Sequence, residues 1–204
     1  MDNKRKTELA VIANKIRRDA VLAVYSAKSG HPGGSLSIAD LLALLYFEVM
    51  NIDPKNPKME NRDRFVLSKG HTAPALYSAL ALRGFFPEED IKTFRHIDSY
   101  LQGHPDMNKV PGVDMSTGSL GQGVSAAGGM ALAAKLDGKD YRVYTVLGDG
   151  ELEEGQVGEQ AMFAAHYKLD NMTAFIDFNG LQIDGDITEV MNPTPIDKKF
   201  EAFG

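Results

Sequence analysis

Two short polar motifs, Gly148-Asp149-Gly150 and Asp177-Phe178-Asn179-Gly180, each close a run of residues that reads as a β-strand. The runs are Tyr141 to Leu147 and Met172 to Asp177, and the segment between the motifs has the length of one crossover helix plus a return strand. Such a βαβ unit is parallel and right-handed. Asp149 and Asn179 should therefore leave the same edge of adjacent strands, where open α/β sheets bind their ligands. A carboxylate, an amide oxygen and a loop carbonyl form an oxygen site for a hard divalent cation, completed by phosphate oxygens and water. Gly150 would let the backbone approach a phosphate, and the helix N-terminus that follows favours negative charge. Gly-Asp-Gly alone is also the sequence of a tight turn. Glu151, Glu153 and Glu154 are equally the acids that a helix start favours.

Three of the five histidines lie in glycine-flanked loops: Gly30-His31-Pro32-Gly33-Gly34-Ser35, Ser68-Lys69-Gly70-His71 and Gly103-His104-Pro105. An imidazole titrates near neutrality and suits proton transfer, although a loop histidine is also commonly a plain surface residue. His96 and His166 fall on predicted helices and carry no such signal.

The elements that must position these groups follow from periodicity. Thr7 is a candidate N-cap for a helix to about Lys28, with an apolar stripe at Leu9, Ile12, Ala13, Ile16, Ala20, Ala23, Val24 and Ala27. The glycines of residues 29–35 predict a loop, and Ser37 with Asp40 reads as a capping box for a buried helix to Met50. Phe65-Val66-Leu67 is a short strand, followed by helices over 73–83 and, short and acidic, 87–96. Residues 99–117 read as irregular. A helix over 120–136 is rich in Gly, Ala and Ser, which lets another backbone come close, and a further helix spans 154–168. The sum is an α/β fold, a doubly wound parallel sheet with helices on both faces.

The chain has 204 residues, 43% hydrophobic and 25% charged, with a formal net charge of −6 and no cysteine. That is an ordinary globular composition for one α/β domain. Disulfides, zinc thiolates and cysteine catalysis are excluded. No apolar run approaches a membrane span, no signal core follows the polar start, and no basic stripe marks a nucleic-acid surface. A cytoplasmic location, with no membrane or nucleic-acid partner, is expected.

Together with Ser116-Thr117-Gly118-Ser119-Leu120-Gly121-Gln122-Gly123 and Gly148-Asp149-Gly150-Glu151-Leu152-Glu153-Glu154-Gly155, the three histidine motifs resemble transketolase, in transketolase order, from about residue 10 onward. The resemblance implies the thiamin-diphosphate-binding fold, with residues 1–204 as a single diphosphate-binding domain. Asp149, Asn179 and the main-chain carbonyl of Leu181 would hold magnesium or calcium. His71 and Gly150 would contact the diphosphate, beside Gly148. His31, His71 and His104 would line the sugar channel as catalytic groups. Gly118 and Leu120 would touch the aminopyrimidine, and Glu154 would join the network linking two active sites at a subunit interface. The activity implied is transfer of a two-carbon ketol unit between sugar phosphates, with the cofactor as electron sink.

The same resemblance implies that the sheet's C-terminal edge and the pyrimidine-binding domain lie outside these residues. Thiamin-diphosphate catalysis then requires a C-terminal partner subunit carrying that domain, and apolar surface favours a homo-oligomer or larger assembly. A non-catalytic binding module of the same ancestry and a deoxyxylulose-phosphate synthase component remain alternatives. Gly158 and Gln160 depart from the family's usual Trp and Ala, which predicts a weakened helix and a packing gap.

Overall fold

The apolar stripe of the first segment folds as α1 (Asn3–Ala27), with Leu9, Ala13, Ile16, Ala20 and Ala23 buried. The computed structural model describes residues 1–183 and 185–204. They form two units, one of residues 1–62 and 70–116, the other of residues 63–69 and 117–204.

In the first unit, α1 begins earlier than Thr7. Asp2 is its N-cap and accepts a hydrogen bond from the Arg5 N–H at 2.7 Å, while the Thr7 hydroxyl donates to the Asn3 carbonyl inside the helix. Either residue can cap, and Asp2 extends the helix over a polar, exposed turn. The glycine-rich stretch is also not all loop. α2 (Pro32–Ser37) starts with Pro32 in its first turn, where a missing N–H costs nothing. α3 (Ala39–Leu44) follows after Ile38 and widens into a π-turn over Leu45–Val49. The expected capping box does not form: Ser37 closes α2, and Asp40 pairs instead with Arg17 of α1. Leu42, Ala43, Leu45 and Tyr46 are buried, but Leu44 and Val49 reach solvent, so the segment is not buried all round.

α4 (Ala73–Arg83) matches the expected range, is buried from Ala73 to Ala81, and ends at Gly84 in the left-handed conformation. The acidic segment forms a 3₁₀ helix, Glu88–Thr93, rather than an α-helix to His96. Residues 99–116 are irregular, anchored by a buried Arg62–Asp114 ion pair with Nη1–Oδ2 at 3.1 Å.

In the second unit, β1 (Arg64–Leu67), β2 (Val143–Gly148) and β3 (Met172–Asp177) form a parallel sheet in that order. β2 starts at Val143 rather than Tyr141. The register pairs Gly148 with Asp177, so the two motifs leave the sheet level with each other. α5 (Gln122–Leu136) packs on the strands, and α6 (Gly155–His166) packs on α5. β4 (Leu181–Gln182) pairs antiparallel with β5 (Gly185–Asp186), and α7 (Ile187–Val190) and α8 (Ile196–Phe203) complete the chain. The α/β parallel sheet with helices is the architecture expected.

Close approach explains the small residues of α5. A Cβ on Gly123 would lie 2.6 Å from Ser68 Cα and 2.8 Å from Ser68 Oγ, at the end of β1. Gly128 similarly makes room for Gln160 of α6. At Gly158 the Phe203 ring of α8 comes within 3.4 Å of where a Cβ would be, but a cavity of about 630 Å³ lined in part by Val157, Gln160, Ala161 and Phe203 remains between α6 and α8. α6 runs unbroken through that glycine.

The Gly123 contact is with backbone and cannot be relieved by a rotamer change. Gly123→Ala should lower stability by about 1–3 kcal/mol, the usual cost of overpacking. Urea unfolding measures this, and an unchanged midpoint would mean that α5 does not need the close approach.

Candidate metal and diphosphate site

Asp149 leaves β2 with its carboxylate 3% exposed and both oxygens fixed by backbone N–H groups. Oδ1 accepts from Gly150 at 3.0 Å, and Oδ2 accepts from Gly180 at 2.9 Å. The second bond crosses from the end of β2 to the end of β3 and locks the two motifs together. Asn179, the residue before Gly180, has its amide oriented from both sides. Nδ2 donates to Asp177 Oδ2 at 3.2 Å, and Oδ1 accepts from the Leu181 N–H at 3.0 Å. Asp177 Oδ2 also receives Lys69 Nζ at 2.5 Å, in a pair where Lys69 is 1% exposed and Asp177 13% exposed. A carboxylate already bound to a buried ammonium accepts the amide's NH₂ end, which leaves Oδ1 on the side of the Leu181 N–H.

The donors that the resemblance implies are all oxygen: the Asp149 carboxylate, the Asn179 amide and the carbonyl of Leu181, the first residue of β4. Among the described residues no group of three His, Cys, Asp or Glu gathers as ligands. Oxygen donors with a single carboxylate suit magnesium or calcium sharing phosphate oxygens. Gly150 is part of the cradle: a Cβ there would sit 3.2 Å from the Gln182 side chain. Gln182 Oε1 and Thr117 Oγ1 are buried without a hydrogen-bond partner among the described residues, leaving polar groups available near the 117–121 and 149–150 loops. These features fit a metal-bound diphosphate.

Sequence reasoning passed over Glu151. It is 2% exposed, and its carboxylate accepts from the Ser68 hydroxyl, from the Gly121 N–H at 2.9 Å and from the Gly148 N–H at 3.1 Å. Ser68 Oγ accepts in turn from the Val124 N–H at 3.0 Å. One side chain thus ties the end of β1, the loop holding Gly118 and Leu120, and the end of β2. Burial pushes its carboxyl up from the ordinary value, against the lowering by Ser68, Gly121, Gly148 and Lys69. Glu154, by contrast, is exposed at the start of α6 and makes no capping bond.

The three loop histidines gather in the first unit. His31 and His71 meet edge to face with ring centroids 5.2 Å apart, and His104 feels the charge of His31. The Tyr77 hydroxyl donates to the carbonyls of Gln102 and His104, both at 2.9 Å, and fixes that loop. His166 stays on its helix, against Tyr167, whereas His96, expected on a helix, lies exposed beyond the end of the 3₁₀ helix at Thr93.

Glu151→Ala would leave three donors facing a void and should cost about 2–5 kcal/mol. Glu151→Gln keeps the shape but turns one accepting oxygen into a donor, and should cost about 1–3 kcal/mol. Because the folded carboxyl is raised, the folded state binds the proton more readily. Wild-type stability relative to Glu151→Gln should therefore grow as pH falls from above the folded value toward the unfolded value of 4.5. Urea unfolding of both proteins across that window measures it, and a difference flat in pH would rule out titration of Glu151.

The chain matches the family "Transketolase, thiamine diphosphate binding domain" over residues 9–204. It is 49% identical over 202 residues to the 6-deoxy-6-sulfo-D-fructose transketolase subunit SqwG of Clostridium sp. (strain MSTE9), covering 99% of this chain and 74% of that protein. It is 46% identical to an apulose-4-phosphate transketolase subunit of Phocaeicola vulgatus, covering 96% of this chain and 69% of that one. Human transketolase is 44% identical over the whole of this chain, which spans 33% of it. The crystal structure of transketolase from Campylobacter jejuni matches with a TM-score of 0.90 at 40% identity, covering 96% of this chain and 32% of that one. This chain belongs to the transketolase thiamine diphosphate binding domain family.

Proposed function

We propose that residues 1–204 form the diphosphate- and metal-binding domain of a transketolase that moves a two-carbon ketol unit from a ketose phosphate to an aldose phosphate. The observation that carries this reading, within the family, is the Asp149–Gly180 hydrogen bond. It joins the two strand-end motifs and leaves a buried carboxylate, an oriented amide oxygen and a carbonyl at one edge of the sheet. Asp149, Asn179 and the Leu181 carbonyl hold magnesium or calcium. Gly148, Gly150 and His71 accommodate the diphosphate, and Gly118 and Leu120 border the aminopyrimidine. Thiamin diphosphate, when bound, provides the electron sink for breaking the bond beside the ketose carbonyl. His31, His71 and His104 bind sugar hydroxyls and exchange protons with them, a task suited to groups titrating near neutrality.

Two of the similar proteins are named as subunits, which supports a two-chain enzyme. The partner subunit carries the pyrimidine-binding domain, with Glu154 in the network at the interface, and catalysis needs both chains, in the cytoplasm and as a homo-oligomer or larger assembly. The names of those relatives specify a sulfo-sugar and a phosphosugar, so the substrate here is a ketose with an anionic tail.

Calorimetric titration of thiamin diphosphate with magnesium into the chain, with and without the partner subunit, tests this reading. Saturable binding should disappear in Asp149→Ala. It should weaken by about 10- to 100-fold in Asp177→Ala, which frees the Asn179 amide to turn. Binding that survives Asp149→Ala would place the diphosphate elsewhere. Binding without turnover in the presence of the partner would leave a non-catalytic module.

A further inference from the structure

Arg95 lies in the first unit, in the turn after the acidic 3₁₀ helix, with φ 61°. A non-glycine residue adopts that left-handed conformation only where its surroundings impose it. Its N–H donates to the Leu101 carbonyl at 2.8 Å, closing the turn. The guanidinium lies against Gly103, where a Cβ would be 2.7 Å from Nε and 3.0 Å from Nη2. Nη1 donates to Ser29 Oγ at 2.5 Å. One planar group therefore touches the residue before His104 and the residue two before His31. Nε is buried without a hydrogen-bond partner, and no carboxylate among the described residues pairs with this guanidinium. An arginine serving only as a brace would gain from a carboxylate partner; here, among the described residues, the charge faces the Phe94 ring, with Cζ 5.5 Å from its centroid.

We propose that Arg95 is the positioning residue of the histidine cluster: its guanidinium, clasped between Ser29 and Gly103, sets the loops of His31 and His104 and holds a fixed positive charge beside their imidazoles. This deepens the proposed function, since it rests on the histidines being proton-handling groups. His104 is faced by Arg95 and by His31, whose ring meets His71. Asp106, the acid nearest in sequence, is engaged by the Asn108 N–H at 2.9 Å and by Lys109 at 3.9 Å. Burial first, then Arg95, then His31 lower the proton affinity of His104. The imidazole stays neutral, ready to accept a proton, at a pH where a free histidine is partly protonated.

The test is an NMR titration of the imidazole protons in the whole chain at low ionic strength, where exposed charges are least screened. His104 is assigned through His104→Gln. Arg95→Gln should move the His104 midpoint upward, and Arg95→Lys should hold it near the parent value. Gly103→Ala keeps the charge but pushes the guanidinium off its seat, and should also move the midpoint upward. An unchanged midpoint in Arg95→Gln, or equal shifts in Arg95→Gln and Arg95→Lys, would overturn the inference, the latter by pointing to shape rather than charge. Cooperative thermal unfolding establishes that each variant is folded. If Arg95→Gln is not, an unchanged midpoint in Gly103→Ala, or equal shifts there and in Arg95→Lys, overturns it in the same way. No cofactor or turnover enters the measurement, so its failure is distinct from failure of the thiamin diphosphate titration.

Discussion

The geometry of the second unit hangs on one buried carboxylate. Glu151 sits immediately after Gly148-Asp149-Gly150 and accepts hydrogen bonds from Ser68, Gly121 and Gly148. Those donors come from the end of β1, the loop before α5 and the end of β2, three pieces of chain far apart in sequence. A neutral acceptor could bond one or two of them. A carboxylate has lone pairs for all three, and none of the three has to be left unsatisfied in the interior. Desolvation of that charge is the cost, visible in the raised proton affinity of Glu151. The cost is tolerated because the alternative is three unpaired donors at the sheet's ligand-binding edge.

Given that anchor, the remaining parts fall into place at short range. Ser68 can reach both Glu151 and the Val124 N–H because Gly123 has no side chain to hold α5 away. The next residue, Lys69, is carried inward by the same strand end and meets Asp177, at the end of β3. Asp177 then fixes which way the Asn179 amide faces. Successive contacts run from the buried Ser68–Glu151 bond through the part-buried Lys69–Asp177 pair to the exposed Asn179–Asp177 bond at 3.2 Å. The proposed metal site would depend little on loop flexibility, since the motifs leave strands whose register is set by backbone pairing.

Much of this was legible in the sequence. The strand ends carrying Asp149 and Asn179 could be read because apolar runs and glycine punctuation fix a βαβ unit by length alone. Other parts could not. Glu151 lies beside Glu153 and Glu154 at a helix start, where acids are favoured whatever their role, and only the tertiary structure shows which of them turns inward. Pro32 inside a glycine-rich stretch reads as a loop, yet proline is well placed in a first helical turn. Ser37 and Asp40 had the spacing of a capping box, but Arg17 on a neighbouring helix displaced that local bond at Asp40. Phe203, forty-five residues on, packs beside Gly158, a contact that no local pattern could reveal.

The two units treat charge in opposite ways, and the proposed chemistry asks for both. Around Asp149 the backbone N–H groups of Gly150 and Gly180 stabilise a buried negative charge without cancelling it. Around His104 a positive guanidinium stands without a carboxylate partner among the described residues, so a second positive charge on the imidazole is disfavoured. A metal ligand must keep its charge, while a group that takes up a proton must begin without one. Backbone dipoles suit the first requirement because they orient a carboxylate and cannot be titrated away. A fixed arginine suits the second because it remains charged at any pH where histidine changes state.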